Sequence, residues 1–159
     1  MTVPKERIDP SALKAWRVGG IISFIIYIVL VAVYFIVAQR YPRLPMVIGW
    51  ILIGLVLLSG VLQVIVIPKI RMWYWRYEIR EDEIDIQYGI IVIKRTLIPM
   101  IRIQHVDTEQ GPILRFFKLS TLSISTAGST HKIPALDVER ALNLRNEISY
   151  LARVSDEDV

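Results

Sequence analysis

Cysteine is absent from this chain of 159 residues, and histidine occurs only as His105 and His131. Without a thiol there is no disulfide framework, no thiolate metal site and no cysteine nucleophile. Two imidazoles with no His-x-x-x-His or His-Glu-x-x-His spacing argue against a dedicated zinc site, and the sequence assigns no metal or cofactor. Charge is missing in a more telling way: residues 18–38 and 46–67 contain no Asp, Glu, Lys, Arg or His. A helix of about 21 residues, rising roughly 1.5 Å per residue, crosses a hydrocarbon core of about 30 Å. Lipid offers no partner to an exposed amide, so both runs are expected to close their own hydrogen bonds as transmembrane helices. The first is too long for the core of a cleaved signal peptide and has no Ala-x-Ala-like site after it. Within the spans only Ser23, Ser59 and Gln63 are notably polar, which argues against a transport path through this chain alone.

Basic residues accumulate at both ends of this hairpin. Lys5, Arg7, Lys14 and Arg17 precede it, Lys69, Arg71, Arg76 and Arg80 follow it, and the connecting loop holds Arg40 and Arg43. The positive-inside rule then predicts a multi-pass membrane protein with both termini cytoplasmic. Trp16 and the cluster Trp73, Tyr74 and Trp75 would share the inner interface and Tyr41 the outer one, although the cluster reads equally well as a strand entering a soluble domain. The net charge of +4 is not a nucleic-acid footprint, because from Pro68 onward thirteen Lys and Arg balance thirteen Asp and Glu.

About 90 residues remain after the second span, enough for one small domain. Period-two alternation predicts a strand over 73–80, a polar turn at Glu81-Asp82-Glu83, and a returning strand over 84–88 that ends at Gly89. Further strands are expected over 90–97, 101–108, 119–126 and 132–136, with Pro99 breaking the second pair and 113–119 a short turn. Asp137 is a candidate helix cap. Val138, Ala141, Leu142, Leu144 or Arg145, Ile148, Leu151 and Ala152 then recur at helical spacing to about residue 153. The expected organisation is an N-terminal flank (1–17), a membrane α-helical hairpin (18–38 and 46–67, joined by an outer loop over 39–45), a mainly antiparallel β-domain (68–154) and an acidic tail (155–159). The β-domain is read as a sandwich or open barrel plugged by its C-terminal helix.

Nothing in the soluble part reads as catalytic. Ser120, Ser123, Ser125 and Ser129 lack a Gly-x-Ser-x-Gly elbow, and their alternation suggests the solvent face of a strand. His105 is expected on a strand and His131 in a solvated loop, while Glu81, Asp82, Glu83 and Asp85 lack the spacing of a calcium loop and read as a hairpin tip. Gly19-x-x-x-Ser23, Gly49, Gly54 and Gly60 permit close helix contact, within the hairpin or with a partner.

The order of motifs carries a family resemblance. Ile98-Pro99-Met100-Ile101-Arg102-Ile103-Gln104-His105-Val106, then Gln110-Gly111-Pro112, Leu114-Arg115 and Leu122-Ser123-Ile124-Ser125-Thr126-Ala127-Gly128 resemble the signature of bacterial pleckstrin-homology-like (PH-like) domains. With two spans in front, the whole chain resembles YdbS-type membrane proteins; Phe117-Lys118-Leu119 departs from the pattern, standing where relatives often have a glycine. The resemblance implies a PH-like fold, no established reaction, and a membrane complex with a larger relative that carries several such domains. It also implies a tie to envelope stress or to protection against membrane-active peptides. The leading expectation is therefore a non-enzymatic membrane-tethered interaction module. The alternative is an anionic-headgroup binder using Lys94, Arg95, Arg102, Arg115, Lys118 and Lys132 beside a basic belt of Lys69, Arg71 and Arg76.

Overall fold

The computed structural model describes residues 4–41, 44–90 and 92–157. Pro42 and Arg43 of the expected outer loop, Ile91 of an expected strand, and Asp158 and Val159 of the acidic tail lie outside the described residues. The chain forms two compact units, residues 16–69 and residues 1–15 with 70–159.

The first unit is the helical hairpin. Helix α1 (Ala12–Arg40) leads to α2 (Met46–Val61), a π-helical turn (Leu62–Val66) and α3 (Ile67–Tyr74). Only 6% of the most apolar stretch of each long helix is buried, where the core helix of a soluble protein would be mostly covered. Ile36, Val47 and Trp50 are each about two-thirds exposed, and such surfaces suit lipid rather than water. The helices approach closely through glycines: Gly49 meets the Phe35 ring, Gly60 the Phe24 ring, and a Cβ on Gly20 would stand 2.8 Å from the Gln63 carbonyl oxygen. Among the described residues, nothing lies within 4 Å of a Cβ placed on Gly54. Ser23 and Ser59 donate their hydroxyls to the Gly19 and Val56 carbonyls of their own helices.

The second long helix does not stop where the uncharged run ends at residue 67. Pro68 lacks an N–H and would press its ring on the carbonyl four residues back, but the π turn before it moves the Ile67 N–H onto the Leu62 carbonyl and absorbs the misfit. The helix therefore runs on to Tyr74. Trp73 and Tyr74 are helical, and the strand predicted over 73–80 begins at Arg76.

The second unit holds two antiparallel sheets. One orders β1 (Glu6–Arg7), β2 (Arg76–Ile79), β3 (Glu83–Tyr88) and β4 (Lys94–Pro99); the other orders β5 (Ile103–Glu109), β6 (Leu119–Thr126) and β7 (Thr130–Asp137). A short helix α4 (Pro112–Phe116) fills the expected turn, and α5 (Val138–Glu157) closes the domain against β5, β6 and β7. This is the expected membrane hairpin plus mainly-β PH-like domain with a C-terminal helix. The core collects Tyr77, Ile84, Ile86 and Ile98 from the first sheet, Leu122, Ile124 and Ile133 from the second, and Ala141, Leu144 and Ile148 from α5. Leu142, expected on that stripe, is 39% exposed, and the helix continues through Ser155 rather than fraying there. Asp137 does cap α5, its Oδ1 accepting the Glu139 N–H at 2.9 Å.

The largest difference is at the N-terminus. The segment read as a flank supplies strand β1, with Glu6 opposite Tyr77 and Arg7 opposite Arg76. Ile8 is 2% exposed, the Asp9 N–H bonds the Ala135 carbonyl, and Asp9 Oδ1 accepts the Ser11 N–H at the start of α1. Arg140 of α5 donates to both Glu6 carboxylate oxygens at 2.7 Å. Burial, with Glu6 alongside, pushes the Tyr77 phenol up to about 12. One domain is thus assembled from chain on both sides of the membrane hairpin.

Candidate functional site

The nine cations singled out from sequence are distributed over several elements. In the first sheet, Arg7, Arg76, Gln87 and Arg95 are successive cross-strand partners and share a face, with Lys94 opposite Tyr88 at the same end. Arg95 is committed to the fold. Its Nε donates to both Asp85 carboxylate oxygens at 3.0 and 3.1 Å and its Nη2 bonds Asp85 Oδ2. Asp85 is fully buried. It belongs to mid-strand β3 and not to the hairpin tip expected for it, and a carboxylate so placed needs this forked partner. Hydrogen bonding to Asp85 raises the Arg95 pKa above its ordinary value. Glu78 and Glu83 flank Arg80 at 3.1 Å each, which leaves Glu81 and Asp82 as the acidic tip of the β2–β3 turn.

The remaining cations lie elsewhere. Arg102 sits in a 3-10 turn (Met100–Arg102) at the far end of β4, about 17 Å along the strand from Lys94, where the Met100 N–H bonds the Asp82 carbonyl. Arg115 is on α4, and Lys118 follows it with φ 54, the left-handed conformation that glycine favours. Lys132 on β7 pairs with Glu109 at 2.7 Å. Lys69 and Arg71 are on α3. Among the aromatics, Trp16 is half-buried on α1, Tyr41 is exposed beyond it, and Trp73 and Tyr74 end α3 exposed. Trp75 is held within the domain, stacked on Tyr88 with ring centroids 5.2 Å apart.

Two serines expected on a solvent face, Ser120 and Ser123, are buried. A register shift between Ser120 and Leu122 turns the strand, and the Ser120 hydroxyl donates to the Glu109 carbonyl. His131 lies on β7 and not in a loop; its Nε2 is 2.8 Å from Ser129 Oγ, which also touches Thr126 Oγ1 in an exposed turn. Among the described residues no group of three or more His, Asp or Glu is placed to hold a metal ion.

One feature that the sequence does not disclose is a polar groove of about 470 Å³ beside β5, lined by Gln104, His105, Asp107 and, from α5, Ser149 and Arg153. Among the described residues β5 is paired only with β6, so it is an edge strand of its sheet. Strand order, unlike strand existence, is not written in local alternation.

A four-stranded and a three-stranded antiparallel sheet closed by a C-terminal helix, with a two-helix membrane hairpin in the chain, define a membrane-bound PH-like protein. The family described as Bacterial PH domain matches residues 13–152, and the chain belongs to it. It is similar to the UPF0699 transmembrane protein YdbS of Bacillus subtilis (strain 168), 48% identical over 157 residues and 98% of each chain. It is also similar to the UPF0699 transmembrane protein YdbT of the same organism, 35% identical over 81 residues, which are 46% of this chain and 16% of that protein. No solved structure matches. A transmembrane relative of nearly equal length, together with two helices suited to lipid, makes this a membrane protein.

Proposed function

We propose that the chain is a non-enzymatic interaction subunit, a PH-like domain tethered at the cytoplasmic face of the cell membrane that binds a larger membrane protein carrying the same kind of domain. The observation that carries this reading is the edge strand β5 beside the groove under α5. A sheet edge binds an extended segment by adding it as a strand, with main-chain hydrogen bonds for affinity and neighbouring side chains for selectivity. Gln104, His105, Asp107 and Arg153 supply those side chains. The longer relative that shares a 35% identical segment with this chain supports a partner of matching fold. Lys and Arg on both flanks of the hairpin support cytoplasmic termini, and the pairing of β1 with β2 requires both flanks on one side of the membrane, as two crossings provide. In this reading the complex serves the envelope under stress, and its loss sensitises cells to membrane-active peptides.

Purification of the tagged full-length chain in mild detergent is expected to recover a larger PH-domain membrane protein in fixed ratio. Combined His105→Glu and Asp107→Lys substitutions, both at exposed positions, are expected to lose it while the chain stays folded in the membrane. Recovery of the chain alone from wild-type membranes would overturn the reading. The anionic-headgroup alternative retains Arg76 and Lys94, which share one end of the first sheet.

A further inference from the structure

The loop between β3 and β4 is greasy where a soluble domain would place polar residues. Ile90, Val92 and Ile93 are 41, 68 and 54% exposed at its tip, and Lys94 follows them directly. Its shape depends on Gly89, whose φ is +133 and where a Cβ would stand 2.0 Å from the Val92 carbonyl oxygen. A cluster of exposed aliphatics held out by a built turn marks a contact surface.

Topology indicates what covers it. In the order β1-β2-β3-β4, the end of β1, the start of β2 and the β3–β4 loop share one end of the sheet, because neighbouring strands alternate in direction. The chain leaves β1 for the first membrane helix and enters β2 from the second at that same end. Ile93 also lines a small groove with Trp73 and Tyr74, the last residues of α3, and with Arg76 and Gln87. The opposite end of the sheet carries Glu81 and Asp82. The first end is therefore aliphatic, aromatic and basic, whereas the second mixes Glu81 and Asp82 with Arg80 and Arg102. The first end suits an anionic leaflet.

We infer that Ile90, Val92 and Ile93 enter the headgroup region of the bilayer that anchors the chain, with Arg76 and Lys94 facing its anionic lipids. The loop gives the domain a membrane contact separate from the two spans and independent of any protein partner. It fixes the domain against the lipid surface and leaves the β5 edge for other contacts.

The lack of native cysteine makes the test clean. Single Val92→Cys and Asp82→Cys variants of the full-length chain are labelled with an environment-sensitive fluorophore and reconstituted, without other proteins, in phosphatidylglycerol–phosphatidylcholine vesicles. Quenching by a lipid nitroxide near the headgroup is expected to be several-fold stronger at position 92 than at 82, with aqueous iodide giving the reverse order. Ile93→Cys is expected to repeat the position 92 result, so local damage from one label cannot decide the outcome. Equal iodide quenching at 92 and 82, or shielding of 92 from both quenchers, would overturn the inference. Neither result bears on whether a partner binds at β5.

Discussion

Replacing Ile8 by alanine tests whether the residues before the first span belong to the β-domain after the second. Ile8 is 2% exposed, although it sits in a segment whose composition resembles a solvated basic flank. The substitution removes three carbons, and at about 0.8 kcal/mol for each the lost transfer energy is roughly 2.4 kcal/mol. The cavity left behind raises the expected cost to as much as about 5 kcal/mol. Against a typical domain stability of about 5–15 kcal/mol this is a large fraction. The assay is urea denaturation of the full-length chain in detergent micelles, followed by hydrogen exchange at β2 and β3 amides, which lie far from Ile8 in sequence. Lys5→Ala, at an exposed position, serves as the control and is expected to change stability by less than about 0.5 kcal/mol. An Ile8→Ala cost as small as that of Lys5→Ala would refute the docking of the N-terminal segment.

Three other expectations follow from particular contacts. Gly20→Val forces a side chain toward the Gln63 carbonyl, and is expected to weaken the membrane hairpin by about 1–3 kcal/mol, measured as lower resistance to unfolding in SDS. Tyr77, raised from 10.0 to about 12, is expected to resist ionisation in an ultraviolet titration of the folded chain. Its contribution to stability is complete below pH 10 and is lost as the pH rises toward 12, so Tyr77→Phe is expected to flatten the alkaline end of the stability profile. Lys118→Gly removes a left-handed strain at φ 54 and is expected to stabilise the domain by up to about 1 kcal/mol, seen as a higher denaturation midpoint.

What the sequence disclosed follows the reach of each physical signal. Lipid imposes so strong a demand on composition that both spans could be read directly. Their ends could not, because the π turn that carries the helix past Pro68 depends on backbone adjustment and not on residue type. Strand β6 was legible over 119–126 because alternation there is long and regular. Strand β1 is two residues long and has no alternation to read; the nearest hint was Asp9-Pro10-Ser11 as a helix start with Ile8 as a lone aliphatic before it. The fate of the cations was least legible. Arg95 and Asp85 lie ten residues apart and meet only through cross-strand register, which turns a presumed headgroup ligand into the partner of a buried carboxylate. The groove under α5 likewise depends on strand order.

One domain is built from chain on both sides of the hairpin, and a chain without cysteine allows a direct test by cross-linking. Arg7→Cys with Arg76→Cys places two thiols at directly opposed positions of β1 and β2, where Cα atoms about 4.5–5.5 Å apart suit a disulfide. Mild oxidation of native membranes, followed by mass spectrometry of the linked peptides, is predicted to show a bond within a single chain that joins the segments before and after both spans. Thiols that stay free, or that link only between chains, would contradict it.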